Sequence, residues 1–351
     1  MRQKISLIII LSFLGACTLF APIISDTKKA SSFEDTPREK EVHRFFWDQL
    51  HQANYNKLDQ VIDSLHASYI DDLNDFKLAA HLGFAYAWKI TERRRSEDLT
   101  PSIVSSSDLA LRYFNEAVAL NSNDPRLKGF QAGFLLANGN LHNDDELTTL
   151  GYFKGQKAIK DWPSFNLFSI GYVMSQLPYN SERYKEALEY QWVNLEECLC
   201  REIDRENPNL SDIKEIPERV KNDYLKNRAC TNGWIAPHNV EGFMLNLGDM
   251  LVKAGKTEQA KVVYNSIRQI EEFDQWPHQD KLISRIDNLE GNVDKFRRQE
   301  SLIKDNRQVF IETTYGCMGC HQKSEKEFRV QNLGKKDVPL TRSTYFIEKN
   351  N

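Results

Sequence analysis

Apolar residues recur about every 3.6 positions along most of this 351-residue chain, and alternating strand patterns are almost absent. This spacing places apolar side chains on one face of a helix. Because it is sustained over so much of the chain, it predicts an all-α fold. The length suits one extended domain or two ordinary ones.

The clearest helix pair lies in residues 240–268. Its first half carries large apolar residues and a glycine on one face, namely Met244, Leu247, Gly248 and Leu251. Gly255 interrupts this helix, and Ala260 and Tyr264 follow four residues apart on a second one. The small Gly248 and Ala260 would allow the two helices to cross closely. This pattern resembles the tetratricopeptide repeat.

Two weaker copies resemble the same family. Residues 82–86 supply a first helix, and a second has the family's spacing at Ala110, Phe114 and Ala117. About fifteen more residues separate these two halves than the repeat requires. Residues 184–188 are a fainter copy. The alternative is a generic helical domain in which small residues recur by chance. The resemblance implies a helical repeat array over residues 41–300, whose concave groove binds an envelope protein or a peptide.

The N-terminal residues form a basic head and an apolar run that ends in Leu-Gly-Ala before Cys17. This is typical of a secretory signal, and its end resembles the lipobox of bacterial lipoproteins. The resemblance implies a signal peptide at 1–16, lipidation of Cys17 and attachment to the membrane through that lipid. Thr18 implies sorting to the outer membrane, facing the periplasm. An uncleaved anchor is the alternative, because apolar residues continue past the cysteine. Polar residues then predict a tether at 17–40.

A Cys-x-x-Cys-His motif lies in the C-terminal segment, residues 301–351, at Cys317, Cys320 and His321. This spacing is the attachment signature of a c-type haem. The motif and its neighbours resemble c-type cytochrome attachment sites, which implies two thioether bonds to one haem c and His321 as the proximal iron ligand. Two alternatives remain, a small structural disulfide between the two cysteines and a redox-active dithiol.

The distal haem ligand is less well defined. Neither Met nor His follows His321 in the sequence, so a sixth ligand would come from upstream. His238 and His278 both follow a proline in loop-like segments and are candidates. Met250 is a third, because it lies off the main packing face predicted for its helix. A five-coordinate iron is equally open.

The remaining cysteines, Cys198, Cys200 and Cys230, lie in a loop-rich insertion around 198–239. In an exported protein, thiols are usually paired. Cys198 and Cys200 point in different directions on a helix, so one of them is expected to bond Cys230. Cys200 is the candidate for this bond, and Cys198 remains open as the alternative. A zinc site that includes His238 is the rival interpretation.

Charge and the absence of known catalytic motifs limit the classes of function expected for this chain. The formal net charge is −4 and no basic stripe is present, which argues against nucleic-acid binding. The sequence contains no nucleophile elbow, P-loop or dinucleotide fingerprint, which argues against a catalytic enzyme. We therefore expect an outer-membrane-tethered periplasmic lipoprotein that combines a protein-binding scaffold with one haem c for electron transfer. The alternative is a purely structural component of an envelope assembly, without haem.

Overall fold

The computed structural model describes residues 34–92, 103–215, 240–270 and 273–297, together with the single residue Gln322. Within these residues the chain forms twelve α-helices and three short 3-10 turns, with no strand, as the periodicity predicts. The helices are α1 (Pro37–His51), α2 (Leu58–Asp71), α3 (Phe76–Thr91), α4 (Ile103–Leu120), α5 (Pro125–His142), α6 (Asp145–Asp161), α7 (Pro163–Met174), α8 (Glu182–Leu199), α9 (Val240–Ala254), α10 (Thr257–Ile267), α11 (Gln279–Asp287) and α12 (Leu289–Arg297). None of these described helices combines the length and the apolar character that crossing a bilayer requires.

The helices pack mainly against their neighbours in sequence. Each of α1 to α8 contacts the next helix, α9 contacts α8, α10 and α12, and contacts between α1 and α3 and between α5 and α7 join successive pairs. One hydrophobic cluster runs through all of the pairs. Nearest-neighbour packing around a continuous core is the organisation of a helical repeat array.

The pair α9–α10 confirms the close crossing predicted for residues 240–268. A Cβ atom on Gly248 would lie only 2.1 Å from the Tyr264 ring, so the glycine permits the contact. Ala260 and Tyr264 are both fully buried. The Tyr264 hydroxyl donates to Asp249 at 2.6 Å, and the Arg285 guanidinium donates to the same carboxylate at 2.9 Å. This carboxylate therefore ties α9 to α10 and α11.

The two weaker copies are also helix pairs. In α3–α4, a Cβ on Gly83 would lie 2.8 Å from the Phe114 ring. In α7–α8, a Cβ on Gly171 would lie 3.0 Å from the carbonyl oxygen of Ala187. Each of these three pairs thus has a glycine at which an added Cβ would lie too close to its partner helix.

Two boundaries predicted from the sequence differ from those in the structure. Helix α1 begins at Pro37, so the predicted tether at 17–40 extends too far into the helical array. The reason is a capping box, in which Thr36 accepts from the Glu39 backbone N–H and the Glu39 carboxylate accepts from Thr36 N–H. At the insertion, α8 continues to Leu199, and residues 201–212 are irregular but held by ion pairs such as Arg205 to Glu196 at 2.6 Å. Residues 216–239 lie outside the described part.

Candidate functional site

Gln322, the residue after the Cys-x-x-Cys-His motif, is completely buried against the array. Its amide nitrogen donates to the Glu92 carboxylate, at 2.9 Å from Oε1 and 3.0 Å from Oε2. Its amide oxygen lies 3.0 Å from Nε2 of His278. The motif is therefore joined to the array through a residue that two distant segments hold.

Both anchoring residues lie at helix boundaries. Glu92 is the C-cap of α3, where its backbone N–H donates to the Trp88 carbonyl, and its Oε2 also accepts from the Trp88 indole N–H at 3.1 Å. His278 is the N-cap residue of α11, and its ring packs edge-on against Trp276 at 5.6 Å. Helix ends place these polar groups at the edge of the apolar core, where Glu92 is buried and His278 is half-buried.

The hydrogen bonds determine which nitrogen of His278 carries a proton. An ionised carboxylate only accepts hydrogen bonds, so the Gln322 amide must turn its NH₂ group to Glu92 and its oxygen to His278. The oxygen in turn requires a donor, so Nε2 of His278 is protonated. A haem iron needs a nitrogen lone pair, and His278 could provide one through Nε2 only by giving up this bond.

The remaining predicted haem ligands are distributed as follows. Met250 is fully buried in α9, where its backbone carbonyl accepts from the Tyr184 hydroxyl at 2.7 Å. The expectation that Met250 lies off the packing face is therefore wrong, because α9 is covered on several sides by other helices. Cys317, Cys320, His321 and His238 lie outside the described residues. Among the described residues, His278 is thus the one predicted ligand that reaches the neighbourhood of the motif.

The cysteines of α8 require a correction. Cys198 is disulfide-bonded and Cys200 is an exposed free thiol. Of the two alternatives for a bond to Cys230, the candidate Cys200 is therefore wrong, and Cys198 is left. Cys198 is fully buried on the core side of α8. Cys200 is the C-cap, with a left-handed backbone (φ 54°) that turns the chain out of the helix. Cys230 and the other cysteines are outside the described residues, so Cys230 as the partner of Cys198 stays a prediction.

The sequence reasoning missed Glu92 and Gln322. Glu92 opens the charged segment between α3 and α4, which reads as a solvated loop, yet its side chain is buried. Gln322 directly follows the motif, and nothing in the local sequence marks it as a buried residue. The two residues are 230 positions apart, and a single sequence carries no signal that joins them.

Comparisons of the chain with protein-family models, with curated proteins and with solved structures give no match in any of the three.

Proposed function

We propose that this protein is a lipid-anchored periplasmic scaffold whose Cys-x-x-Cys-His motif binds one haem c. The observation that carries the proposal is the burial of Gln322 between Glu92 and His278. His321 is the adjacent residue, so its Cα is about 3.8 Å from that of Gln322. A motif that served only as a flexible tail would not need a buried polar anchor beside its histidine.

The haem would supply a one-electron redox couple. Cys317 and Cys320 would hold it covalently, and His321 would be the proximal ligand. Gln322 and Glu92 would keep the attached group at one place on the array. A partner protein bound in the groove of the array would then meet the haem in a defined position, which favours electron transfer between the two.

The disulfide at Cys198 supports the proposed location. Structural disulfides persist in oxidising compartments such as the periplasm and are rare in the cytosol. We therefore propose that the array faces the periplasm, held to the outer membrane by the lipid on Cys17. The same disulfide also supports the alternative function, an envelope scaffold in which Cys317 and Cys320 are oxidised and bind no haem.

The test is the intact mass and the visible spectrum of the full chain, made in a host with working cytochrome c maturation. We expect one covalent haem and a Soret band, both absent from Cys320→Ala. A wild-type mass without haem, with Cys317 and Cys320 linked as a disulfide, would exclude the haem proposal and leave the scaffold.

The anchor is tested separately with Gln322→Ala. Loss of the amide leaves the buried Glu92 carboxylate with fewer donors and should lower the free energy of unfolding by about 1–3 kcal/mol. Gln279→Ala is the matched control. It also removes a glutamine amide in the same region, but the Gln279 amide donates to two backbone carbonyls and not to a buried carboxylate. Equal, small effects of the two variants would show that Gln322 does not dock.

A further inference from the structure

A second polar cluster lies at the start of the array, on α1 and α3 and independent of the haem motif. It comprises Asp35, His43, Asp75, Lys77 and His81, which we call the His43 cluster. Asp35 precedes α1, His43 lies on α1, Asp75 is the N-cap of α3, and His81 lies one turn and a half further along α3. One ligand atom each from Asp35, His43 and Asp75 lies within 4.8 Å of the other two. His43, Asp75 and His81 are buried.

The two histidines share one hydrogen bond, with their Nδ1 atoms 2.6 Å apart. A neutral imidazole has one N–H, so one ring donates and the other accepts. If His43 donates, its Nε2 presents a lone pair to the Asp75 Oδ2, 4.0 Å away, and two acceptors face each other. If His81 donates, the His43 Nε2–H is too far from Asp75 to bond it. In both cases neither Nε2 has a hydrogen-bond partner within the described residues.

The groups around these atoms are arranged as they are in metal sites. A metal-bound histidine usually donates its other ring N–H to a fixed acceptor, and His81 can be that acceptor for His43. Asp75 Oδ1 accepts from the backbone N–H groups of Lys77 at 2.7 Å and Leu78 at 3.0 Å, which leaves Oδ2 directed at His43. The Lys77 ammonium lies 2.9 Å from Asp35 Oδ1 and orients that carboxylate. Each of the three ligands is therefore held by a second group.

Ligand type and distance indicate the kind of ion. The cluster offers one imidazole and two carboxylates, and the Lys77 ammonium lies beside one of these carboxylates. The 4.0 Å between His43 Nε2 and Asp75 Oδ2 is wider than the roughly 3.3 Å that separates two ligands of a tetrahedral zinc ion with bonds of about 2.0 Å, so these side chains would have to close by about 0.7 Å on binding. Imidazole is a poor ligand for the hard ions Ca²⁺ and Mg²⁺.

We propose that the His43 cluster binds one divalent first-row transition-metal ion, through Nε2 of His43 and the carboxylates of Asp75 and Asp35. His81 is the positioning residue for His43, and Lys77 is that for Asp35. Three protein ligands leave at least one coordination position for water or for another small molecule. The ion would join α1 to α3 and to the segment that leads into α1.

The test measures metal uptake by the full chain after treatment with a chelator. Zn²⁺ or Co²⁺ is added, the protein is dialysed, and bound metal is counted by mass spectrometry, while the Co²⁺ absorption spectrum reports nitrogen and oxygen ligation. We expect one ion per wild-type chain and a higher melting temperature with metal. His43→Gln and Asp75→Asn should lose stoichiometric uptake. His81→Phe, which removes only the positioning bond, should weaken binding about 10–100-fold.

The controls separate lost ligands from lost folding. Asp75→Asn keeps the cap, because the asparagine oxygen still accepts from the backbone, and Asp144→Asn makes the same change at the N-cap of α6. His142→Gln removes an exposed histidine from α5, and Cys200→Ser removes the free thiol. These three controls should bind metal as the wild type does. No uptake by folded wild type, or equal uptake by folded Asp75→Asn, would overturn the proposal.

Discussion

The substitution Gly248→Ala tests whether α9 and α10 cross as closely as the structure shows. Its Cβ would lie 2.1 Å from Cε1 and 2.5 Å from Cδ1 of Tyr264, whereas ordinary contact begins near 3.4 Å, so the ring must retreat by about 1.3 Å. The ring is fully buried and cannot move into solvent. Overpacking of this kind costs about 1–3 kcal/mol.

The displaced ring has a second cost. Its hydroxyl donates to Asp249, and the loss of a hydrogen bond to a charged group costs about 1.5–3 kcal/mol. Alanine is a better helix former than glycine by about 1 kcal/mol, which offsets part of the loss. We expect a net decrease of about 2–4 kcal/mol in the free energy of unfolding.

The matched control is Gly291→Ala. Gly291 also lies inside a helix, α12, but a Cβ there has no atom within 4 Å, so this change should stabilise the protein by up to about 1 kcal/mol. Urea unfolding, followed by circular dichroism and by tryptophan fluorescence, measures both variants. Gly248→Ala should cost little in a Tyr264→Leu background, where the ring is absent. If the two alanine variants change stability in the same direction in the wild-type background, the close crossing is refuted.

Three further predictions concern single side chains. With a chelator present, the wild type should lose more stability than His81→Phe as the pH falls below about 6.5. Burial holds the pKa of folded His81 well below 6.5. The stability that the neutral ring contributes is therefore complete above pH 6.5, and it is lost as the pH falls below that value. Parallel pH profiles of stability for the two proteins would contradict this. Cys198→Ser should destabilise by about 2–5 kcal/mol and Cys200→Ser by little, whereas equal losses, or peptide maps in which Cys230 is free, would count against a Cys198–Cys230 bond. Cys17→Ser should abolish lipidation, and a native protein that begins at Met1 would refute processing there.

The helical array could be predicted because its packing rules act over short distances in the sequence. Gly248 and Tyr264 are neighbours across one helical hairpin, so the spacing of small and large residues along the sequence already indicates that they meet. The capping box at Thr36 and Glu39 was also readable, and overlooking it misplaced the start of α1.

The polar sites could not be predicted in the same way. Glu92 and Gln322, or His43 and His81, meet only after several helices have packed, and no local pattern marks a charged residue that will be buried. The choice between Cys198 and Cys200 depended on where α8 ends, and helix ends are the least predictable part of a periodic pattern. In each case the missing information was a boundary or a long-range contact.

The bond between Glu92 and Gln322 also sets an order of events during synthesis. A chain leaves the ribosome with its N-terminus first, so α1, α2 and α3 can fold long before Gln322 has been made. During that interval the Glu92 carboxylate can accept from the Trp88 indole N–H but not from the Gln322 amide. A contact that spans 230 residues is therefore among the last to form. Its formation adds a long-range contact to helix pairs that otherwise pack mainly against their neighbours in sequence.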